Sequence, residues 1–351
     1  MLNLIKTKIY GTIGPSSYKK EMIKNMIING LSGLRINLSH GAFAEFQKWF
    51  LNIRKAQTES GKTIDIIADI QGPEIRAEII EKPFLDLDEN DTVFVFSEKP
   101  SVPDSNNNIL LSPTHIINLI SKGQIILLDD GLIRLSVREI HKFRENKIKL
   151  ECDVLHGGRL GDKKGVNLPG LKTHLPSLNY KDKDDITMGI KEGINYIMLP
   201  FTRTLSDVQS LRNYLDSKGG ENIGILAKIE NQEGIDNLES FLDEIEGVVI
   251  ARGDLGVEIG ITKVPIIQKE IIRLCNQKDK KSIVVTHMLH SMINSPFPSR
   301  AEISDIANAV LDNCTGVMLT AETAIGKYPL ESIQILNDTA AETEKWRQLK
   351  N

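Results

Sequence analysis

The sequence predicts an α/β protein: a closed (β/α)8 TIM barrel with a small all-β lid domain inserted after the third strand. Three features point there. Short β-branched runs alternate with longer segments of helical period, the pattern of repeated βα units around a parallel sheet. The strand-like runs of that alternation number eight, the count that closes a barrel. The rhythm breaks once, after the third run, where the next helix is replaced by a series of short strand-like runs.

The eight predicted strands are 8–13, 33–37, 63–69, 196–199, 223–229, 247–251, 282–286 and 316–319. Helical segments follow most of them, at 20–28, 43–58, 182–191, 207–216 and 266–277, and 330–349 is the last barrel helix. An open doubly wound sheet would need a glycine-rich first turn, which Gly11-Thr12-Ile13-Gly14-Pro15 does not match. Between Gly72-Pro73 and about Gly161 the runs 94–96, 125–128, 133–137 and 148–152 are separated by turn-rich stretches such as 104–108 and 129–131. The expected division is therefore a barrel of residues 1–71 and 161–351, with a lid of residues 72–160. A module at the catalytic face of a barrel excludes water from the reacting centre.

Composition narrows the class. The 351 residues are 26% charged and 40% hydrophobic, the balance of a globular chain rather than a disordered one. A net charge of −4 lacks the basic footprint of a nucleic-acid protein. Cys152, Cys275 and Cys314 are scattered, with no Cys-x-x-Cys spacing, which fits a reducing cytoplasm. No apolar stretch is long enough to span a bilayer, and Met1–Lys6 has no secretory apolar core. A cytoplasmic protein with no nucleic-acid or membrane partner is expected.

The chemistry is carried by seven residues that follow hydrophobic runs: Arg35, Asn37, Asp69, Lys228, Glu230, Asp254 and Thr286. In a closed parallel barrel the carboxyl ends of all strands meet at one mouth, so these residues would converge and the chain reads as an enzyme. Glu230 and Asp254, read as ending neighbouring strands, supply two carboxylates at one spot, which suits Mg²⁺. Lys228 precedes Glu230 by two residues and shares its strand face. An ammonium there either pairs structurally with Glu230 or stabilises a transferring phosphoryl group. Arg35 offers a planar guanidinium for bidentate phosphate recognition. Arg252-Gly253-Asp254-Leu255-Gly256 supplies small residues where backbone amides can approach an anion. His287 and His290 are spaced for a transition metal but lack a third ligand in the sequence pattern.

Ordered motifs along the whole chain give a resemblance. They include Thr7–Ser17, Leu34-Arg35-Ile36-Asn37-Leu38-Ser39-His40-Gly41, Asp69-Ile70-Gln71-Gly72-Pro73-Glu74-Ile75-Arg76, Asp129–Ile133 and Lys164–Gly170. Lys228-Ile229-Glu230-Asn231, Ala251–Gly256, Ser299–Val310 and Glu322-Thr323-Ala324 continue the series. Together they resemble the pyruvate kinase family. The resemblance implies phosphoryl transfer from phosphoenolpyruvate to ADP, giving pyruvate and ATP. It implies Mg²⁺ (or Mn²⁺) on Glu230 and Asp254, and K⁺ on Asn37, Ser39, Asp69 and the carbonyl of Ile70. It places Arg35 and Lys228 on the substrate phosphate, Gly253, Asp254 and Thr286 at the substrate carboxylate, and Thr286 also at protonation of the enolate. Pro15, Asn37, His40, Arg76 and Lys164 correspond to nucleotide contacts. Relatives with Lys at the position of Glu74 replace the cation's charge with an ammonium; Glu74 cannot, so dependence on K⁺ is expected.

The chain also departs from the pattern. His287 stands for a usual Gln, His290 for Glu, Val285 for Ala, Pro200 for Ser, Thr320 for a frequent Ser and Gln71 for a frequent Lys. These changes could reshape the pocket around the enol carbon or the acceptor. The expectation at this level is a short form lacking the family's C-terminal allosteric domain, able to form a homo-oligomer but not the usual tetramer. Two other readings stand beside it: a divergent enzyme of a biosynthetic route with another enol phosphate or acceptor, and a non-catalytic binding paralogue.

Overall fold

Strands buried on both faces read as continuous hydrophobic runs, and eight such runs close into a parallel barrel. The computed structural model describes residues 6–39, 41, 43–80, 82–100, 107–143 and 147–350. The barrel strands, in chain order and in order around the barrel, are Lys8–Thr12, Leu31–Asn37, Asp65–Asp69, Tyr196–Leu199, Gly224–Ile229, Gly247–Ala251, Lys281–Val285 and Gly316–Met318. Every neighbouring pair is parallel, including the first with the last. Tyr10, Ile67, Met198, Leu226, Val249, Ile283 and Met318 fill the interior. Opposite faces of the same strands pack on the surrounding helices, with Leu34, Ile36, Ile225 and Val284 fully buried. The barrel is therefore a packed core whose chemistry is confined to its ends. Among the described residues no helix is long and apolar enough to cross a membrane.

The helices Lys20–Ile28, Phe43–Ser60, Tyr180–Lys191, Leu205–Asp216, Val264–Gln277 and Pro329–Gln348 lie where periodicity predicts them, within a few residues at the ends. Helices Gln232–Phe241 and Arg300–Leu311 add to those segments, and one stretch differs in kind. The Arg252–Gly256 stretch, read from its glycines as an open anion-binding segment, is the start of a helix, Arg252–Ile259. Leu255 and Ile259, four residues apart, are buried, and that packing outweighs the low propensity of Gly253 and Gly256.

Between the third and fourth barrel strands the chain builds a second closed barrel with its own apolar core of residues such as Val95, Leu111, Leu135 and Leu150. Its strand order is Ile148–His156, Thr92–Phe96, Asn108–Ser112, Arg76–Ile79, Lys164–Asn167, Ile125–Leu128 and Ile133–Lys142. Asn108, read as part of a turn, opens a strand, while 104–106 lie outside the described residues. The chain enters this barrel through Gln71 and Gly72, whose N–H groups donate to the buried Asp182 carboxylate at 2.9 and 3.1 Å. Asp182 also forms a capping box with Asn179 at the start of the returning helix, so one side chain ties entry and exit together.

The ends of the described chain are joined as well. Glu344 in the last helix accepts the Lys6 N–H at 2.9 Å, and the Thr7 N–H and hydroxyl each at 2.7 Å. Burial alone would raise its pKa, but these donors outweigh it and hold the carboxyl below its usual range. A depressed folded pKa gives stability that is present above the unfolded value of about 4.3 and lost as pH falls through the folded value. Glu344→Gln is expected to melt lower than wild type at neutral pH and to flatten the loss of melting temperature with pH below that point. Parallel profiles for the two proteins would contradict this.

Candidate active site

The mouth at the carboxyl ends of the barrel strands gathers two cations around one oxygen of Asp69, with a second acid, Glu230, paired to one of them. Arg35 leaves the second strand and places Nε 2.7 Å and Nη2 2.6 Å from Asp69 Oδ2. Its Nη1 donates to the Thr12 hydroxyl at 3.2 Å, and that hydroxyl donates to the carbonyl of Leu319 at 2.9 Å. Lys228 Nζ, from the fifth strand, lies 3.6 Å from the same Asp69 oxygen and 2.8 Å from Glu230 Oε1. The other oxygen of Glu230 accepts the N–H of Phe201 at 2.7 Å. The Lys228 and Arg35 side chains are 15% and 14% exposed, so two cations reach the mouth from one buried acidic base.

Electrostatics follows from this placement. Burial works against the charge on Lys228, but Asp69 and Glu230 outweigh it and hold the ammonium above the usual lysine range, with Arg35 opposing them. Asp254 has the reverse problem. Burial raises its carboxyl and the Glu230 charge raises it further, against the pull of Lys228. Asp254 is not at a strand end; it sits in the first turn of the Arg252–Ile259 helix, three residues past the sixth strand. A negative group there is favoured by the helix N-terminus, and the orphan N–H groups of that turn can meet an anion.

Two unmet demands mark where cations fit. Glu230 and Asp254 are like charges in a sheltered site, a hard-oxygen pair whose repulsion a divalent ion would relieve. Asp69 Oδ1 is buried and has no hydrogen-bond partner among the described residues. Ile70 is buried beside it, and the Asn37 side-chain oxygen accepts the Ser39 N–H at 3.1 Å. These are oxygen donors, as a monovalent hard cation requires.

Above the mouth a cavity of about 540 Å³ is shared between the two barrels. Glu230, Asp254 and Glu258 line it from below, and Arg76, Asp130 and Lys164 from above. The Asp129-Asp130-Gly131 turn reaches down until a Cβ on Gly131 would come 3.3 Å from Val257 of the short helix. The N–H of Gly170 donates to Glu258 at 3.1 Å across the same gap. Arg76 is paired with Glu74 (Nε to Oε2, 3.0 Å) and donates to the carbonyl of Lys163, and Lys164 pairs with Asp129 at 2.9 Å. Pro15 is exposed and does not line this cavity, while His40 lies outside the described residues.

Thr286 follows the seventh strand with φ +79°, and His287 follows it with φ +56°. A β-branched residue in the left-handed region stores about 1–3 kcal/mol, a cost met where structure around a site over-determines it. The rings of His287 and His290 meet edge-on, 4.6 Å between centroids, and both residues are exposed. Among the described residues no third His, Cys or acid joins them as a ligand. Sequence reasoning gave no separate role to Thr12, which braces Arg35, or to the Phe201 N–H, which holds Glu230. The first is a side chain whose partner is distant in sequence, and the second is a backbone group that no motif reveals.

The model of the pyruvate kinase barrel domain matches residues 4–333. A pyruvate kinase of Staphylococcus saprophyticus is 43% identical over 346 residues, covering 98% of this chain and 58% of that protein. Pyruvate kinases of Bacillus licheniformis and Sporosarcina psychrophila are each 41% identical, covering 97% of this chain and 57% of theirs. The chain thus spans 58% or less of the length of these relatives.

Proposed function

The chain belongs to the pyruvate kinase family, and from that premise we propose that it moves the phosphoryl group of phosphoenolpyruvate to ADP, forming pyruvate and ATP. The observation that carries the reading is the convergence of Arg35 and Lys228 on Asp69 beside Glu230, two cations and two acids at one barrel mouth. Arg35 and Lys228 grip the substrate phosphate. The N-terminal turn of the Arg252–Ile259 helix, at Gly253 and Asp254, receives the substrate carboxylate with the Thr286 hydroxyl. A terminal oxygen of ADP attacks phosphorus in line, the bond from phosphorus to the enol oxygen breaks, and its electron pair stays on the enolate.

Lys228 neutralises the charge that spreads over the phosphoryl oxygens as that bond breaks. Mg²⁺ or Mn²⁺ on Glu230 and Asp254, and K⁺ on Asn37, Ser39, Asp69 and the Ile70 carbonyl, supply further positive charge to the same oxygens when bound. Thr286 then orders the proton donor that converts the enolate to pyruvate. The second barrel, residues 72–160 with the strand that follows, acts as a lid: its Arg76 and Lys164 hold the nucleotide in the shared cavity, Asn37 and His40, and Pro15 beyond the cavity, meet it from the first barrel, and closure excludes water.

The test is pyruvate formation from phosphoenolpyruvate with each nucleoside diphosphate, in the presence of Mg²⁺ and K⁺. Turnover with ADP is expected. Binding of phosphoenolpyruvate without transfer to any diphosphate would sink the reading and favour another acceptor. Glu74 adds a sharper test, because it brings no positive charge of its own to the mouth. Wild-type activity is expected to require K⁺, and Glu74→Lys to retain activity without it. Equal wild-type rates with and without K⁺ would refute this.

A further inference from the structure

The turn that carries Thr286 is held from outside the site by a guanidinium. Arg252 is 13% exposed at its side chain, and all three of its nitrogens are used inside the protein. Nε donates to the carbonyl of Val285 at 3.3 Å, and Nη2 to the carbonyl of Thr286 at 2.8 Å and the sulfur of Met288 at 2.8 Å. Nη1 donates to Asp305 at 2.8 Å and to Gln268 at 3.4 Å. Asp305 belongs to the helix Arg300–Leu311 and Gln268 to the helix Val264–Gln277, so the fork joins the turn to two elements of the barrel wall. No donor of Arg252 is left for a substrate.

Those contacts fall where the backbone is least comfortable. Thr286 and His287 are consecutive non-glycine residues in the left-handed region; histidine tolerates that conformation, but a β-branched threonine there is an outlier. The carbonyls gripped by Arg252 are those of Thr286 and of the residue before it. The next residue after Arg252 meets the same threonine: a Cβ on Gly253 would lie 3.0 Å from Thr286 Cγ2 and 3.8 Å from Oγ1. Arg252 and Gly253 thus set the Thr286 side chain against the N-terminal turn of the short helix, one by gripping its backbone and the other by leaving room for its methyl group.

We infer that Arg252 is a positioning residue for the proton-transfer half of the reaction: it holds the Val285–His287 turn so that the Thr286 hydroxyl is aimed at the enolate carbon. The inference rests on the proposed reading of the site. In this step C3 of the enolate takes a proton from a water molecule bound to the Thr286 hydroxyl. The C–H bond forms from the enolate π pair, the C2–oxygen bond becomes a carbonyl, and the hydroxide left behind is neutralised by a proton from bulk water. Phosphoryl transfer, which depends on Arg35 and Lys228, precedes it and needs this turn only to seat the substrate carboxylate, so the two steps are compared at saturating phosphoenolpyruvate.

The test separates the two halves in Arg252→Lys, Arg252→Ala and Asp305→Asn. Single-turnover ATP formation reads phosphoryl transfer, and exchange of the pyruvate methyl protons with heavy water, followed by NMR, reads the proton step. Arg252→Lys, which loses the fork, is expected to slow exchange about 100-fold, the effect of a misplacement of about 1 Å, while ATP formation changes far less. Free guanidinium is expected to restore part of the exchange in Arg252→Ala. Asp305→Asn leaves the site untouched and loosens only the anchor, so it is expected to show the same split more weakly.

Equal loss of both rates with no rescue would make Arg252 a general structural residue and overturn the inference, as would unchanged exchange. A wild type that exchanges the protons but makes no ATP would overturn the transfer reading and leave the exchange comparison in force. A wild type that does neither overturns both.

Discussion

Lys228→Met is expected to lower the rate of phosphoryl transfer on the order of 10³–10⁵-fold, the range a single cation is worth beside a transferring phosphoryl group. Methionine fills a similar volume but leaves two carboxylates without their shared ammonium, those of Asp69 and Glu230, whose side chains are 2% and 0% exposed. Removing one partner of a buried charge pair costs about 3–5 kcal/mol. Part of that is offset here, because Asp69 keeps Arg35 and Glu230 keeps the Phe201 N–H. The variant should therefore melt at a lower temperature yet keep the circular dichroism of the wild type at room temperature. Rapid-quench measurement of ATP formation beside a melting curve checks both halves. A rate within tenfold of wild type would remove Lys228 from the chemistry.

Glu230→Gln keeps the shape of the side chain and an oxygen for the Phe201 N–H but deletes a charge from the acidic pair. Weakening of Mg²⁺ binding beyond the 10–100-fold typical of an outer-shell partner is expected, with activity falling in parallel. Asp254 should respond too. Its carboxyl is raised first by burial and then by the Glu230 charge, so the variant leaves only the first of these and Asp254 ionises more easily. Calorimetric titration with Mg²⁺ reads the affinity directly, and an affinity equal to wild type would move the divalent ion away from Glu230.

The barrel was legible because its signal is redundant. Each parallel strand is buried on both faces, so runs such as Val248-Val249-Ile250 and Ile283-Val284-Val285 cannot be anything solvated. The mouth was legible for the same reason: polar residues placed at the ends of such runs are forced to one rim. Short strands of the second barrel were harder. Arg76–Ile79 alternates charge and apolar residue over four positions, and its partners, Asn108–Ser112 and Lys164–Asn167, lie far along the chain. Pairing, not local pattern, makes it a strand.

The Arg252–Ile259 helix was hidden by its glycines, and with it the true place of Asp254. The left-handed conformation of Thr286 left no trace in residue type, and the guanidinium that donates to its carbonyl lies more than thirty positions earlier in the chain. The orphaned oxygen of Asp69 was likewise invisible. Burial and partner geometry, neither of them a local property, decide all three.

Phosphorus NMR of phosphoenolpyruvate and ADP incubated with the wild-type chain, Mg²⁺ and K⁺ reads phosphoryl transfer to ADP in one spectrum. The enol-phosphate signal is expected to disappear as the γ-phosphate of ATP grows, and both are expected to stay unchanged with Lys228→Met. An enol-phosphate signal that persists with the wild type, or one that vanishes into free inorganic phosphate, would contradict transfer to ADP.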